Sequence, residues 1–215
     1  MFSRPYNNGM KNKNTLAKLL ATENITVEHR KVETAHFDLK NRIVVLPLWK
    51  EMSTDLYDML LGHEVGHALH TPLEGWHDNM NHGVNFKTFL NVVEDARIER
   101  KIKSKFPGIV KNFYAGYNEL FDKDFFGVKD IDPNTLPLID RINLHYKVGS
   151  MLAINFSEQE QPFIDTIDNL ETWEEVVNVA KALYDYAGNN EEQEALEELM
   201  KKLMEANGEP GDDEG

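Results

Sequence analysis

Apolar and polar residues alternate along this chain in two different rhythms, and the change from one to the other marks out its elements. Near the start, Leu16, Leu19 and Leu20 share one face of a short helix predicted over Thr15–Glu23. From Val27 to Trp49 the rhythm shortens toward a period of two. Val32, Ala35, Phe37 and Leu39 fall in the first part, Asn41-Arg42 reads as a turn, and Ile43-Val44-Val45-Leu46 follows as a β-branched strand. Pro47 then marks a strand end or an edge position. After it the period becomes helical and stays so. Ser53-Thr54-Asp55 is suited to cap a helix that runs through Tyr57, Leu60 and Leu61 to about His70, where Thr71-Pro72 stops it.

Leu73 to Gly83, with Trp76, His77, Asp78 and His82, reads as a loop. A second long helix is predicted over Val84–Lys105, ending before Pro107-Gly108. Helical patterns recur over 109–121, 135–155, 160–170 and 172–187, and a strongly charged one covers 190–206 with an apolar stripe at Leu196, Leu199, Met200 and Leu203. The expected class is therefore α+β: a mainly helical domain over 1–190 with a small N-terminal β-sheet, followed by an acidic helix and low-complexity tail over 191–215.

Composition narrows the functional classes. The formal net charge is −14. Residues 191–215 hold ten Asp or Glu against Lys201 and Lys202, a net of −8, which leaves −6 on the rest. Acidity on this scale argues against nucleic-acid binding. The one basic run, Arg97, Arg100, Lys101, Lys103, Lys105 and Lys111, reads as a solvated helix face. The acidic tail reads as a solvating linker or as a segment that folds back or binds a partner. There is no cysteine, so disulfides and thiolate metal sites are excluded. No apolar run approaches the roughly 20 residues of a membrane span, and the polar, basic start lacks a signal-peptide apolar region, so no membrane association and a cytoplasmic location are expected.

The chemistry concentrates in one stretch. His63-Glu64-Val65-Gly66-His67 spells HExxH inside the first long helix. Positions i and i+4 share a helix face, so His63 and His67 can address one metal ion while Glu64 stands beside them as a general base. Such a site suits Zn²⁺, whose bound water has a pKa near ~7 and which polarises a substrate carbonyl, with Glu64 moving the proton to the leaving amine. Catalytic zinc commonly takes three protein ligands. The pattern HExxHxxGxxH is excluded, because His70 and Leu73 occupy its Gly and last His positions. Glu94, 27 residues after His67 on the next helix, is the expected third ligand: two antiparallel helices would bring it to the metal, and a carboxylate on a helix made apolar by Val92, Val93, Ala96 and Ile98 needs a partner. For an oxyanion donor the candidates are Tyr114, Tyr117, His145 and Tyr146, with His70 one turn beyond His67 as a group that could support the ligands. A peptide substrate would pair with an exposed sheet edge, expected at Arg42–Leu46.

The pair HEVGHALH and NVVEDARIER resembles the gluzincin metallopeptidases, and most of all the peptidase-like region of phage and bacterial proteins related to the cobaltochelatase CobT family. The resemblance covers about residues 53–105 well and the helices to about 155 loosely. It implies a zincin-like fold with an active-site helix pair, His63, His67 and Glu94 as zinc ligands, Glu64 as base, and Asp95 and Arg97 as supporting or structural groups. It implies a protein or peptide substrate, a von Willebrand A-type domain as partner downstream or in trans, and the host cytoplasm for a phage-encoded form. One position departs from the pattern. Thermolysin-type enzymes carry a supporting Asp four residues after the ligand Glu, and here that position is Ile98. Two other readings compete with the peptidase: a zinc-stabilised adaptor module without catalysis, and an accessory factor of a chelatase-like AAA+ machine.

Overall fold

The computed structural model describes residues 17–18, 20–75, 84–188 and 190. His77 and His82, residues 191–206 and the tail lie outside the described residues, as do Leu16 and Leu19 of the first predicted helix.

Helical residues at 17–18 and 20–21, within the helix expected over Thr15–Glu23, lead into a three-stranded sheet: β1 (Thr26–Arg30), β2 (His36–Asp38) and β3 (Ile43–Pro47), in the order β1-β3-β2. β1 runs parallel to β3, in register Thr26 with Ile43 through Arg30 with Pro47, and β2 runs antiparallel to β3, with His36 opposite Val45. The β-branched run thus becomes the central strand, and Val44, Val45 and Leu46 are buried. This corrects the expectation that Arg42–Leu46 offers a free edge: both sides of β3 are already hydrogen-bonded, and the outer strands of the described sheet are β1 and the shorter, polar β2. Pro47 does sit at the strand's end, where it costs no central ladder bond. The turn at 39–42 closes through Arg42 in the left-handed region (φ 58°).

Five described helices follow as α1 (Thr54–His70), α2 (Val84–Lys105), α3 (Val110–Asp122), α4 (Leu138–Val148) and α5 (Gln161–Ile167), and a sixth, α6, is described from 173 to 188. Ser53 caps α1 by accepting the Leu56 amide at 3.0 Å, as its sequence suggests. α3 ends in a Schellman motif. Asp124 takes the left-handed conformation (φ 53°), the Phe125 amide reaches Leu120 O at 2.9 Å, and the Asp124 amide reaches Phe121 O at 2.9 Å. α4 is shorter than the predicted 135–155. Pro133 starts a 3₁₀ turn, Pro137 fixes the helix start and Gly149 closes it. Residues 152–157 run on without helix; Arg141 pins them by donating to Asn155 O at 2.8 Å. Among the described residues, no helix is long and apolar enough to cross a membrane.

Two hydrophobic cores form. One joins the sheet, α1 and α3 around Val44, Leu56, Leu61, Val65 and Phe113. The other joins α2, α4, α5 and α6 around Leu90, Val93, Ile142, Ile167 and Val176. α1 and α2 lie against each other where the cores meet, and their approach depends on Gly66. A Cβ there would stand 2.8 Å from Ile98 Cδ1 and 3.4 Å from the Ile98 carbonyl oxygen. Ile98 is one residue short of a turn beyond Asp95, so this contact sets how close the carboxylates of α2 come to the histidines of α1. Gly66→Val is expected to destabilise the chain by about 2 kcal/mol, because overpacking of a rigid contact outweighs the better helix propensity of valine. Urea unfolding checks the stability, and metal titration should show weaker binding in the same variant.

Candidate metal centre

α1 is buried on several faces, since the sheet, α2 and α3 all pack on it. The HExxH residues therefore lie inside the protein, where polar atoms need partners. Glu64 is 5% exposed. His63 donates from Nδ1 to Glu99 Oε1 at 2.9 Å. His67 Nδ1 meets Thr71 Oγ1 at 2.9 Å, and Thr71 in turn donates to Glu94 Oε1 at 2.6 Å. The Thr71 hydroxyl hydrogen is used on Glu94, so Thr71 accepts from His67 Nδ1–H. Both rings are oriented in this way with Nε2 facing α2.

Asp95 stands opposite them. Its Oδ1 lies 3.5 Å from His63 Nε2 and 3.1 Å from His67 Nε2. The donor atoms of the three residues all fall within 4.8 Å of one another. Metal–ligand bonds of ~2.0–2.1 Å in tetrahedral array place neighbouring donors roughly 3.3 Å apart, so these separations suit a single small ion. The chemistry suits it too. Beyond the Nδ1 contact, His67 Nε2 and the Asp95 oxygen lie close enough to share a single proton or a small cation between them.

The carboxylate that meets the two histidines thus differs from the residue expected as third ligand. Glu94 is fully buried, but its carboxylate points at Arg97, which donates from Nε to Oε2 and from Nη2 to Oε1, both at 2.8 Å. Arg97 also holds the carbonyls of His70 and Glu171, each at 2.9 Å. Glu94 therefore acts on the site only through Thr71 and His67, while Asp95, expected in a supporting part, stands among the donors. The shift is a single residue. Four residues on from Asp95, one turn along the same helix face, Glu99 holds His63.

Charge reinforces the arrangement. Lys147 of α4 donates to Asp95 Oδ2 at 2.9 Å, leaving Oδ1 for the histidines. Glu99 also accepts from Lys103 at 2.9 Å and from the Tyr117 hydroxyl. Burial alone would raise Asp95 and Glu99, but Lys147 and His63 hold the Asp95 carboxyl well below its usual range, and His63 and Lys103 bring Glu99 to about 2. Burial would likewise lower His63, but Asp95, Glu99 and Glu64 outweigh it and raise the imidazole to about 10. The carboxylates around this point favour positive charge there. Glu64 is raised, because its burial outweighs the histidines beside it. Tyr117 is pushed well above its ordinary value by burial and by the Glu99 carboxylate, so it remains a proton donor.

A cleft of about 460 Å³ opens onto His63, Glu64, His67 and Asp95. Thr34 to Phe37 of the β2 edge form one wall, and Lys87 and Asn91 of α2, with Lys147, line it as well. Of the oxyanion candidates only Tyr117 lines this cleft, and its hydroxyl serves Glu99. Tyr114 is 60% exposed on the outer side of α3. His145 packs edge-on against Tyr146 and Phe156, and Tyr146 donates to Asp168 at 2.9 Å, both away from the cleft. His70 does not line the cleft; burial and Arg97 lower its imidazole to about 4. His36 and Lys147 line it instead. His36 was hidden in the sequence because its strand is three residues long. Lys147 was hidden because it lies 52 residues from its partner. Glu99 carried a signal, its i+4 spacing from Asp95 on one helix face.

Of the basic run only Arg97 is buried; Lys105 and Lys111 are exposed and the others are half-buried in ion pairs. Arg97 pairs with Glu94, Lys103 with Glu99, and Arg100 and Lys101 with Glu171. Compared with known protein families, with curated proteins and with solved structures, the chain matches none.

Proposed function

We propose that this chain is a metal-dependent peptidase, with zinc as the ion best suited to its donors. The observation that carries the reading is the convergence of two histidine Nε2 atoms and a carboxylate oxygen beside a buried Glu64, on the wall of an open cleft. His63, His67 and Asp95 would hold the ion, which when bound supplies a Lewis acid for the scissile carbonyl and brings the pKa of its water toward neutrality. Glu64 takes a proton at its carboxylate and delivers it to the leaving amine. Burial raises its pKa toward the working range of a general base. Lys147 Nζ holds Asp95 Oδ2, so that Oδ1 would be the oxygen offered to the ion, and with His36 it brings N–H donors to the cleft for the developing oxyanion. An extended peptide pairs with the free edge of β2, whose residues already form the cleft wall. A site that only held the fold together would have no use for a carboxylate facing that cleft, which sets the adaptor reading behind the catalytic one.

Glu64→Gln tests this. The zinc-loaded chain and the variant are incubated with a peptide library, and the products are read by mass spectrometry. Cleavage should fall by about 10²–10⁴-fold in the variant while zinc content stays at that of the parent. Equal cleavage by both, or none by the loaded parent chain, would reject the peptidase.

A further inference from the structure

The cleft has two unlike ends. Its polar end holds the donors and Glu64. Its other end is apolar and is formed by Trp49, Met59, Leu60, Leu120, Phe125 and Phe126. Three rings make a continuous aromatic wall: Trp49 and Phe125 centroids lie 5.9 Å apart, Phe125 and Phe126 5.5 Å apart and edge-on, and Phe126 lies 6.4 Å from Tyr117. Phe125 stays 48% exposed although it stands in this wall. The Schellman motif fixes its position directly after α3, so the ring is presented by a rigid corner.

The two ends are closely joined. Met59 precedes His63 by four residues and Leu60 precedes Glu64 by four, so the apolar end begins one helical turn, about 5.4 Å, from the donors. Tyr117 spans the gap, with its ring against Phe126 and its hydroxyl on Glu99, the partner of His63. That spacing matches the reach from a carbonyl to the side chain of the residue that carries it, given ~3.8 Å between consecutive Cα atoms.

We infer that this apolar end is a specificity subsite that receives a bulky apolar or aromatic side chain from the residue whose carbonyl is placed at the metal. The inference rests on the peptidase reading and names the substrate class: peptides with Phe, Leu or a similar residue at the scissile bond. A charged side chain there would lose its hydration against three rings with no partner.

The test uses simple carbonyl ligands and equilibrium binding. N-acetyl hydroxamates of phenylalanine, leucine, glycine and aspartate are titrated calorimetrically into the zinc-loaded chain. The phenylalanine and leucine compounds should bind about 10–100-fold tighter than the glycine compound, and the aspartate compound more weakly than glycine. In Phe125→Ala, a change at a half-exposed position, the preference for phenylalanine over glycine should shrink several-fold while the glycine compound binds as before. Equal affinities for glycine and phenylalanine would overturn the subsite and leave the metal centre standing. Equal binding of the phenylalanine compound to the metal-free chain would also overturn it, since the side chain would then be captured without its carbonyl at the metal. If even the glycine compound fails to bind the zinc-loaded chain, the peptidase reading falls and the subsite with it.

Discussion

Asp95→Asn is expected to weaken zinc binding by more than about 100-fold, beyond the ~10–100-fold typical of groups that only support a ligand. Asparagine keeps the size and an oxygen at the position of Oδ1, so the fold has no steric reason to change. What disappears is the negative charge. The amide oxygen is a poor donor to a small divalent ion, and Lys147, 2.9 Å from the other oxygen, loses the carboxylate that balances it. Its ammonium would then face the ion across the same group and repel it. Competition against a chromophoric chelator measures the affinity, and elemental analysis gives the stoichiometry. Near-parental affinity would remove Asp95 from the donor set.

Glu94→Ala should act on the fold instead. Arg97 is 3% exposed and has two of its bonds to the Glu94 carboxylate. Without that carboxylate it is a buried cation left with the carbonyls of His70 and Glu171. Removing one partner of a buried pair costs about 3–5 kcal/mol, a large part of an ordinary domain's 5–15 kcal/mol. Urea unfolding with a chelator in both samples isolates this loss from any contribution of bound metal. Zinc affinity should weaken only within the range for supporting groups, because Glu94 reaches His67 through Thr71. The two neighbouring carboxylates thus have opposite signatures: the loss of Asp95 empties the metal centre of a folded chain, and the loss of Glu94 unfolds a chain whose metal donors are intact. Full stability in Glu94→Ala would contradict the buried pair.

Most of what local pattern controls was legible in the chain. Ser53 and Thr71-Pro72 bound α1 as read, α2 runs over Val84–Lys105 as read, and the turn before β3 falls at Asn41-Arg42. The chain also set the second helix against the HExxH helix and put the expected third ligand on it at Glu94, one residue from Asp95, the carboxylate that lies nearest the histidines. Periodicity did not choose between Glu94 and Asp95. Adjacent residues on a helix differ by about 100° in direction, and which one faces α1 depends on the rotation of α2 about its own axis. That rotation is set by contacts such as Ile98 on Gly66 and by the capture of Glu94 by Arg97, both of them tertiary. Strand order was beyond the sequence for the same reason. A run as apolar as Ile43–Leu46 can be central or peripheral, and the burial of both faces reads most naturally as central only once the parallel partner β1 is known. The helix predicted over 135–155 was too long because its apolar spacing continues past Gly149, where the backbone leaves the helix and Arg141 holds the following segment.

The meeting of the two hydrophobic cores has a mechanical consequence. The histidines ride on a helix that belongs to one core, and Asp95 rides on a helix anchored mainly in the other. The donor set is thus a calliper laid across the seam, with one jaw on each side and Gly66 against Ile98 as its stop. Coordination distances tolerate only about 0.2 Å. Any slip of one core along the other therefore registers first at the jaws, and a firmly held ion would add a lock to the bonds of Glu99, Glu94 and Arg97 that already cross the seam.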